Sequence, residues 1–114
     1  MLKMELKFKD RVLKHIETDK SEITIGRGGN NDIQIDNLAV SNIHAKIIKQ
    51  AGSYRVEDLK STNGTLLNDR KIQKANLSPN DIITIGKHAL QIKAMDETKA
   101  VVEDLADKTV KISG

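Results

Sequence analysis

The chain has 114 residues, enough for one domain with a single core. It holds no cysteine, no apolar run of the ~20 residues a membrane-spanning helix needs and no signal-peptide pattern at its start, which together predict a reducing, cytoplasmic setting. Its 19 basic and 16 acidic residues are interspersed and only Phe8 and Tyr54 are aromatic, so the net +3 favours anionic partners without the features of a nucleic-acid binder.

Residues 2–8 alternate cleanly, with Leu2, Met4, Leu6 and Phe8 on one side and Lys3, Glu5 and Lys7 on the other, the period of a half-buried strand. Arg11 to Ile16 is a weaker run. Glu22–Ile25 reads as a strand closed by Gly26, and Asp32–Ile35 as a short one. Ile43, Ala45 and Ile47 alternate with His44 and Lys46. The turn Ala51-Gly52-Ser53 leads into Tyr54–Glu57, Leu66-Leu67 and Ile72 make brief strands around Asn68-Asp69-Arg70, and Ser78-Pro79-Asn80-Asp81 is a strong turn. Ile82–Ile85 and His88–Ala94 form a hairpin turning at Gly86-Lys87. Short strands with turn residues roughly every eight to twelve positions predict an all-β antiparallel sandwich or barrel. The boundary falls at 1–95 for this domain and 96–114 for a tail, in which 97–107 has the pattern of a short amphipathic helix and 109–112 that of a strand or loose end.

Arg27 stands in the glycine-rich turn Gly26-Arg27-Gly28-Gly29, where glycines let backbone approach a ligand and a guanidinium offers a donor fork matching two phosphate oxygens. The turn is no nucleotide loop, since no Gly-Lys-Ser or Gly-Lys-Thr follows it. Ser41 and His44, with Asp58, raise the question of a nucleophile and its base; in a strand the first two would point to opposite faces, and no nucleophile elbow surrounds the serine. His44 is better read as a half-buried histidine bonding the backbone of neighbouring loops. His15, His44 and His88 lie far apart, without carboxylates at metal-site spacing. Asn63-Gly64 has two readings. It is a strong hairpin signal, and the Asn63 amide also matches the donor and acceptor of a peptide backbone.

Taken together, Gly26-Arg27, Asn31-Asp32-Ile33, Ser41-x-x-His44-Ala45, Ser61-Thr62-Asn63-Gly64-Thr65 and Leu77…Asp81-x-Ile83…Gly86 resemble the forkhead-associated (FHA) domain over roughly residues 2–94. The resemblance implies a β-sandwich of about eleven strands whose loops at one end bind phosphothreonine in an extended peptide. It assigns Arg27 and Ser41 to the phosphate and Asn63 to the peptide backbone, with Thr62 adding a polar contact. Asn42 occupies a position where members carry arginine or asparagine, and is assigned to the peptide. Gly26, His44 and Gly64 are assigned to loop architecture, and Lys60 is near enough in sequence to add charge. The shared end of the loops also comes from the resemblance, because a simple meander puts the loops before and after 32–35 at opposite ends.

The implied function is a phosphothreonine-peptide-binding module in signalling, not an enzyme, with no cofactor, no metal, no nucleic acid and no membrane. Its partner is a phosphothreonine protein made by a Ser/Thr kinase; Thr98 or Thr109 of the tail, if phosphorylated, would offer the same group in the chain itself, against the plainer reading of a solvated tail. The alternative is an FHA-like structural or assembly module indifferent to phosphate.

Overall fold

The computed structural model describes residues 1–95. Within them lie eleven strands: β1 (Leu2–Phe8), β2 (Arg11–Thr18), β3 (Glu22–Gly26), β4 (Ile33–Gln34), β5 (Ala45–Gln50), β6 (Ser53–Asp58), β7 (Thr65–Leu67), β8 (Arg70–Ile72), β9 (Lys74–Asn76), β10 (Ile82–Ile85) and β11 (His88–Met95). They form a six-stranded sheet, ordered β2-β1-β11-β10-β7-β8, and a five-stranded sheet, ordered β4-β3-β5-β6-β9. The expected all-β sandwich is what the chain adopts. Period-two alternation sends Leu2, Met4, Leu6, Ile83, Ile85, Leu90 and Ile92 inward from the first sheet and Ile23, Ile25, Ala45, Ile47, Tyr54 and Val56 from the second. Burying each isoleucine or leucine contributes about 1.5–3 kcal/mol, and these side chains close the core between the sheets.

Local pattern misleads at several points. Ile43 does not share the inward face of Ala45 and Ile47: β5 starts at Ala45, so Ile43 is 59% exposed while His44 is fully buried. In β2, Val12 and Leu13 are exposed, because this strand is the sheet edge and its register shifts against β1 opposite Leu6 and Lys7. The low-propensity Lys74–Asn76 becomes β9 only by pairing with Arg55–Glu57 of β6. Nor is Asn63-Gly64 a hairpin turn, since it joins β6 of one sheet to β7 of the other. The two-residue hairpins with positive φ at both central residues are Ala51-Gly52 and Asn68-Asp69. The helical and strand readings of 97–107 and 109–112, together with Thr98 and Thr109, lie outside the described residues.

One pairing departs from the antiparallel expectation and sets the position of the loops. β4 runs parallel to β3, with Ile25 opposite Ile33 and Gly26 opposite Gln34. Side chains lock this register. Thr24 N–H donates to Asp32 Oδ2 at 2.9 Å, and Asp32 N–H donates to Thr24 Oγ1 at 3.0 Å. Lys20 donates to Asp32 Oδ1, and this bond, followed by the Thr24 bond, holds the carboxyl below its ordinary value. Because β4 exits in the same direction as β3, residues 35–44 leave from the end that carries Arg27. Ala45 opposite both Ile25 and Asp58 then puts the 59–64 loop at that end too, and the Gly86-Lys87 hairpin completes it.

Candidate functional site

Backbone bonds lay the Gly26–Asn31 turn directly against the loop that precedes β5. Arg27 N–H donates to the Ser41 carbonyl at 2.9 Å and Gly28 N–H to the Asn42 carbonyl at 3.2 Å. Asn31 Nδ2 ties both sides together, donating to the Asn42 carbonyl at 2.7 Å and the Gly28 carbonyl at 2.8 Å. A Cβ on Gly26 would sit 2.2 Å from the Asn42 carbonyl oxygen, so this approach requires glycine.

His44 joins that loop to the next. Its Nδ1 accepts the Ser41 N–H at 3.1 Å, which leaves Nε2 as the protonated nitrogen donating to the Gly64 carbonyl at 2.8 Å. The ring is therefore fully buried rather than half-buried: it fills the space between two loops whose backbone it satisfies. Asp58 shapes the 61–65 segment, accepting from Ser61 Oγ, from Ser61 N–H at 3.2 Å and from Thr65 Oγ1 at 2.7 Å. Burial acts to raise the Asp58 pKa, but the Ser61 and Thr65 bonds outweigh it and hold the carboxyl below its ordinary 3.8. Gly64, at φ +87°, donates its N–H to Ser61 Oγ at 2.9 Å in a conformation side chains disfavour.

The loops enclose a cleft of about 150 Å³ lined by Arg27, Leu38, Ala39, Val40, Ser41, Thr62 and Asn63. Two bonds cross it: Thr62 N–H to Ser41 Oγ at 3.0 Å, and Asn63 Nδ2 to the Ala39 carbonyl at 2.8 Å. No carboxylate lines it, and Arg27 forms no ion pair among the described residues; its guanidinium donates to Asn42 Oδ1 at 3.5 Å. With one lone pair of Ser41 Oγ engaged by Thr62, its O–H proton is left to donate elsewhere. The cleft thus presents a guanidinium and a hydroxyl donor, the chemistry that receives an anion.

Of the residues singled out in the sequence, Arg27, Ser41, Thr62 and Asn63 meet in this cleft. Asn42 is not in its lining, and its amide oxygen accepts from Arg27. Gly26, His44 and Gly64 lie outside its lining and hold the loops. Lys60 lines a different depression, with Glu57, Asp58, Gln73 and Lys74, and is not among the residues that line the Arg27 cleft. Sequence reasoning missed Asn31 as the tie between loops, and missed the Leu38–Val40 wall. A usable signal for the wall is Asn37, whose Oδ1 accepts the Ala39 N–H at 2.9 Å in an Asx turn.

Ser41, His44 and Asp58 are not arranged as a nucleophile, its base and an orienting carboxylate. Ser41 and His44 lie in a loop and not in a strand, and His44 accepts the Ser41 backbone N–H instead of its hydroxyl. Asp58 bonds Ser61 and Thr65, not the imidazole.

The sequence matches the FHA domain over residues 23–86. It is 39% identical over 72 residues to the oxoglutarate dehydrogenase inhibitor of Corynebacterium diphtheriae, covering 63% of this chain and 50% of that protein. The chain spans about half or less of the length of the curated relatives it matches. An FHA domain solved in a structural and functional analysis of phosphothreonine-dependent FHA interactions superposes with a TM-score of 0.72 at 25% identity, over 81% of this chain and 96% of that one. Mycobacterium tuberculosis EmbR, solved in complex with a low-affinity phosphopeptide, gives a TM-score of 0.72 at 27% identity, over 80% of this chain and 24% of that one. A match across more than half of the sequence, on a sandwich of the same build, makes this chain a member of the FHA domain family.

Proposed function

We propose that the chain is a phosphothreonine-binding module that joins signalling proteins in response to a Ser/Thr kinase, and that it acts by binding without catalysis. The observation that carries this is Arg27, in no ion pair among the described residues, beside the Ser41 hydroxyl in a cleft lined by no carboxylate. A phosphothreonine brings close to two negative charges and three acceptor oxygens. Arg27 takes two of those oxygens through its donor fork, Ser41 donates to one of them, and Asn63, with Thr62, meets the peptide backbone. Unphosphorylated threonine leaves the guanidinium without an anionic partner, so phosphorylation switches the interaction. The relatives solved with phosphopeptide or studied for phosphothreonine dependence support the same ligand class.

The setting we propose is the cytoplasm. Among the described residues no helix is long and apolar enough to cross a membrane. Thr98 or Thr109, once phosphorylated, would supply the ligand in the same chain; a phosphorylated tail peptide that fails to compete with an external one removes that occupant. Calorimetry with matched phosphothreonine, phosphoserine and bare peptides tests the main proposal. Binding of the phosphothreonine form alone, or tightest, is expected, and equal binding of the bare peptide overturns it.

A further inference from the structure

A second depression adjoins the phosphate cleft and shares Ala39 and Asn63 with it. Its floor is largely apolar, made by Ala39, Leu66, Thr84 and Gly86 with the backbone of Gly64, and it encloses about 280 Å³. Its charge is one-sided. Lys87, exposed in the β10–β11 hairpin, lines one wall. Lys71 of β8 stands just outside the lining, its Cε only 2.9 Å from where a Cβ on Gly64 would stand. Neither lysine forms an ion pair among the described residues, and no acidic side chain lines the groove. Both ammonium groups are thus available to a ligand continuing from the cleft.

From this arrangement we infer that the bound phosphopeptide carries an acidic side chain, Asp or Glu, within a few residues of its phosphothreonine, and that Lys87 and Lys71 read it. The inference rests on the phosphothreonine reading above and adds the chemistry of the neighbouring position. The occupant is the same peptide, because the groove is continuous with the cleft and Asn63 borders both. A glutamate suits the site in two respects: its methylenes cover the apolar floor, and its carboxylate reaches the lysines at the rim. A lysine or arginine there meets two like charges. Rim pairs of this kind are individually weak, so the expected discrimination is modest and depends on salt.

The test uses the intact chain and a set of phosphothreonine peptides with alanine flanks, in which Glu, Leu or Lys is placed in turn at each of the flanking positions up to four away. At one position at least, Glu is expected to bind about fivefold more tightly than Lys at low salt, with the ratio shrinking toward one as salt is raised. Lys87→Glu should invert that ratio, and Lys71→Glu should reduce it. Lys3→Glu, the same charge change at the far end of β1, should leave the ratio as it was. If alanine-flanked phosphopeptide binds but Glu and Lys are equivalent everywhere, or if the ratio survives Lys87→Glu, this inference is overturned and the phosphothreonine reading stands. If no phosphopeptide binds, both fall together.

Discussion

At Arg27 the main chain and the side chain serve different purposes. The N–H anchors the turn to Ser41, while the guanidinium stays without a carboxylate partner at the cleft. Replacement by alanine keeps the anchor and removes the guanidinium, with its charge and its 3.5 Å bond to Asn42. Arg27→Ala should therefore weaken phosphothreonine peptide binding by about 30- to 150-fold, corresponding to roughly 2–3 kcal/mol for charge-assisted bonds, while thermal unfolding shifts little. Arg27→Lys should recover only part of the loss, because an ammonium lacks the planar fork. His44 shows the opposite division. Its removal leaves a cavity and orphans both the Ser41 N–H and the Gly64 carbonyl, so His44→Ala should destabilise the fold by about 2–4 kcal/mol in denaturant titrations. Binding then falls through loosened loops, and not through a lost ligand contact.

Among the elements, the segment from Asp58 to Thr65 depends on one carboxylate. Asp58 accepts bonds from Ser61 and Thr65 that favour its ionised form, and its folded pKa lies below the 3.8 of the free side chain. The stability it contributes is present above about pH 3.8 and is lost as pH falls through the lower folded value. Asp32 follows the same rule at the β3–β4 junction, where Lys20 and Thr24 hold its pKa down. Stability measured against pH should thus decline on acidification below pH 4, and Asp58→Asn should flatten part of that slope. An unchanged slope in the variant would show that the carboxylate does not organise this loop. At neutral pH the same variant should also weaken peptide binding, because Thr62 and Asn63 lie on the segment it shapes.

For the molecule as a whole, a rigid two-sheet core carries loops that are set by strand register. Ile47 is fully buried in the five-stranded sheet. Ile47→Ala should cost about 2–5 kcal/mol and lower the unfolding temperature, yet leave affinity per folded molecule near the wild-type value. A loss of affinity beyond the unfolded fraction would mean that the core transmits strain to the loops. Rigidity matters here because preformed loops avoid an ordering cost on binding.

The sequence alone determined the class of the fold and the polar side chains of the cleft, but not its Leu38–Val40 wall. Period-two alternation is a local property of the chain, so β1, β3, β6 and β10 are legible in it, and Arg27, Ser41, Thr62 and Asn63 stand out by type and by their order along the chain. What alternation cannot reveal is which strands pair, in which direction, and where a pattern stops. The parallel pairing of β4 with β3 brings Arg27 and Ser41 to one end, and only the tertiary structure decided it. The same holds for β9, which exists through its partner, and for Ile43 and His44, where a strand-like pattern ran on into a loop. The burial of His44 follows from contacts between residues distant in sequence, which no local spacing encodes.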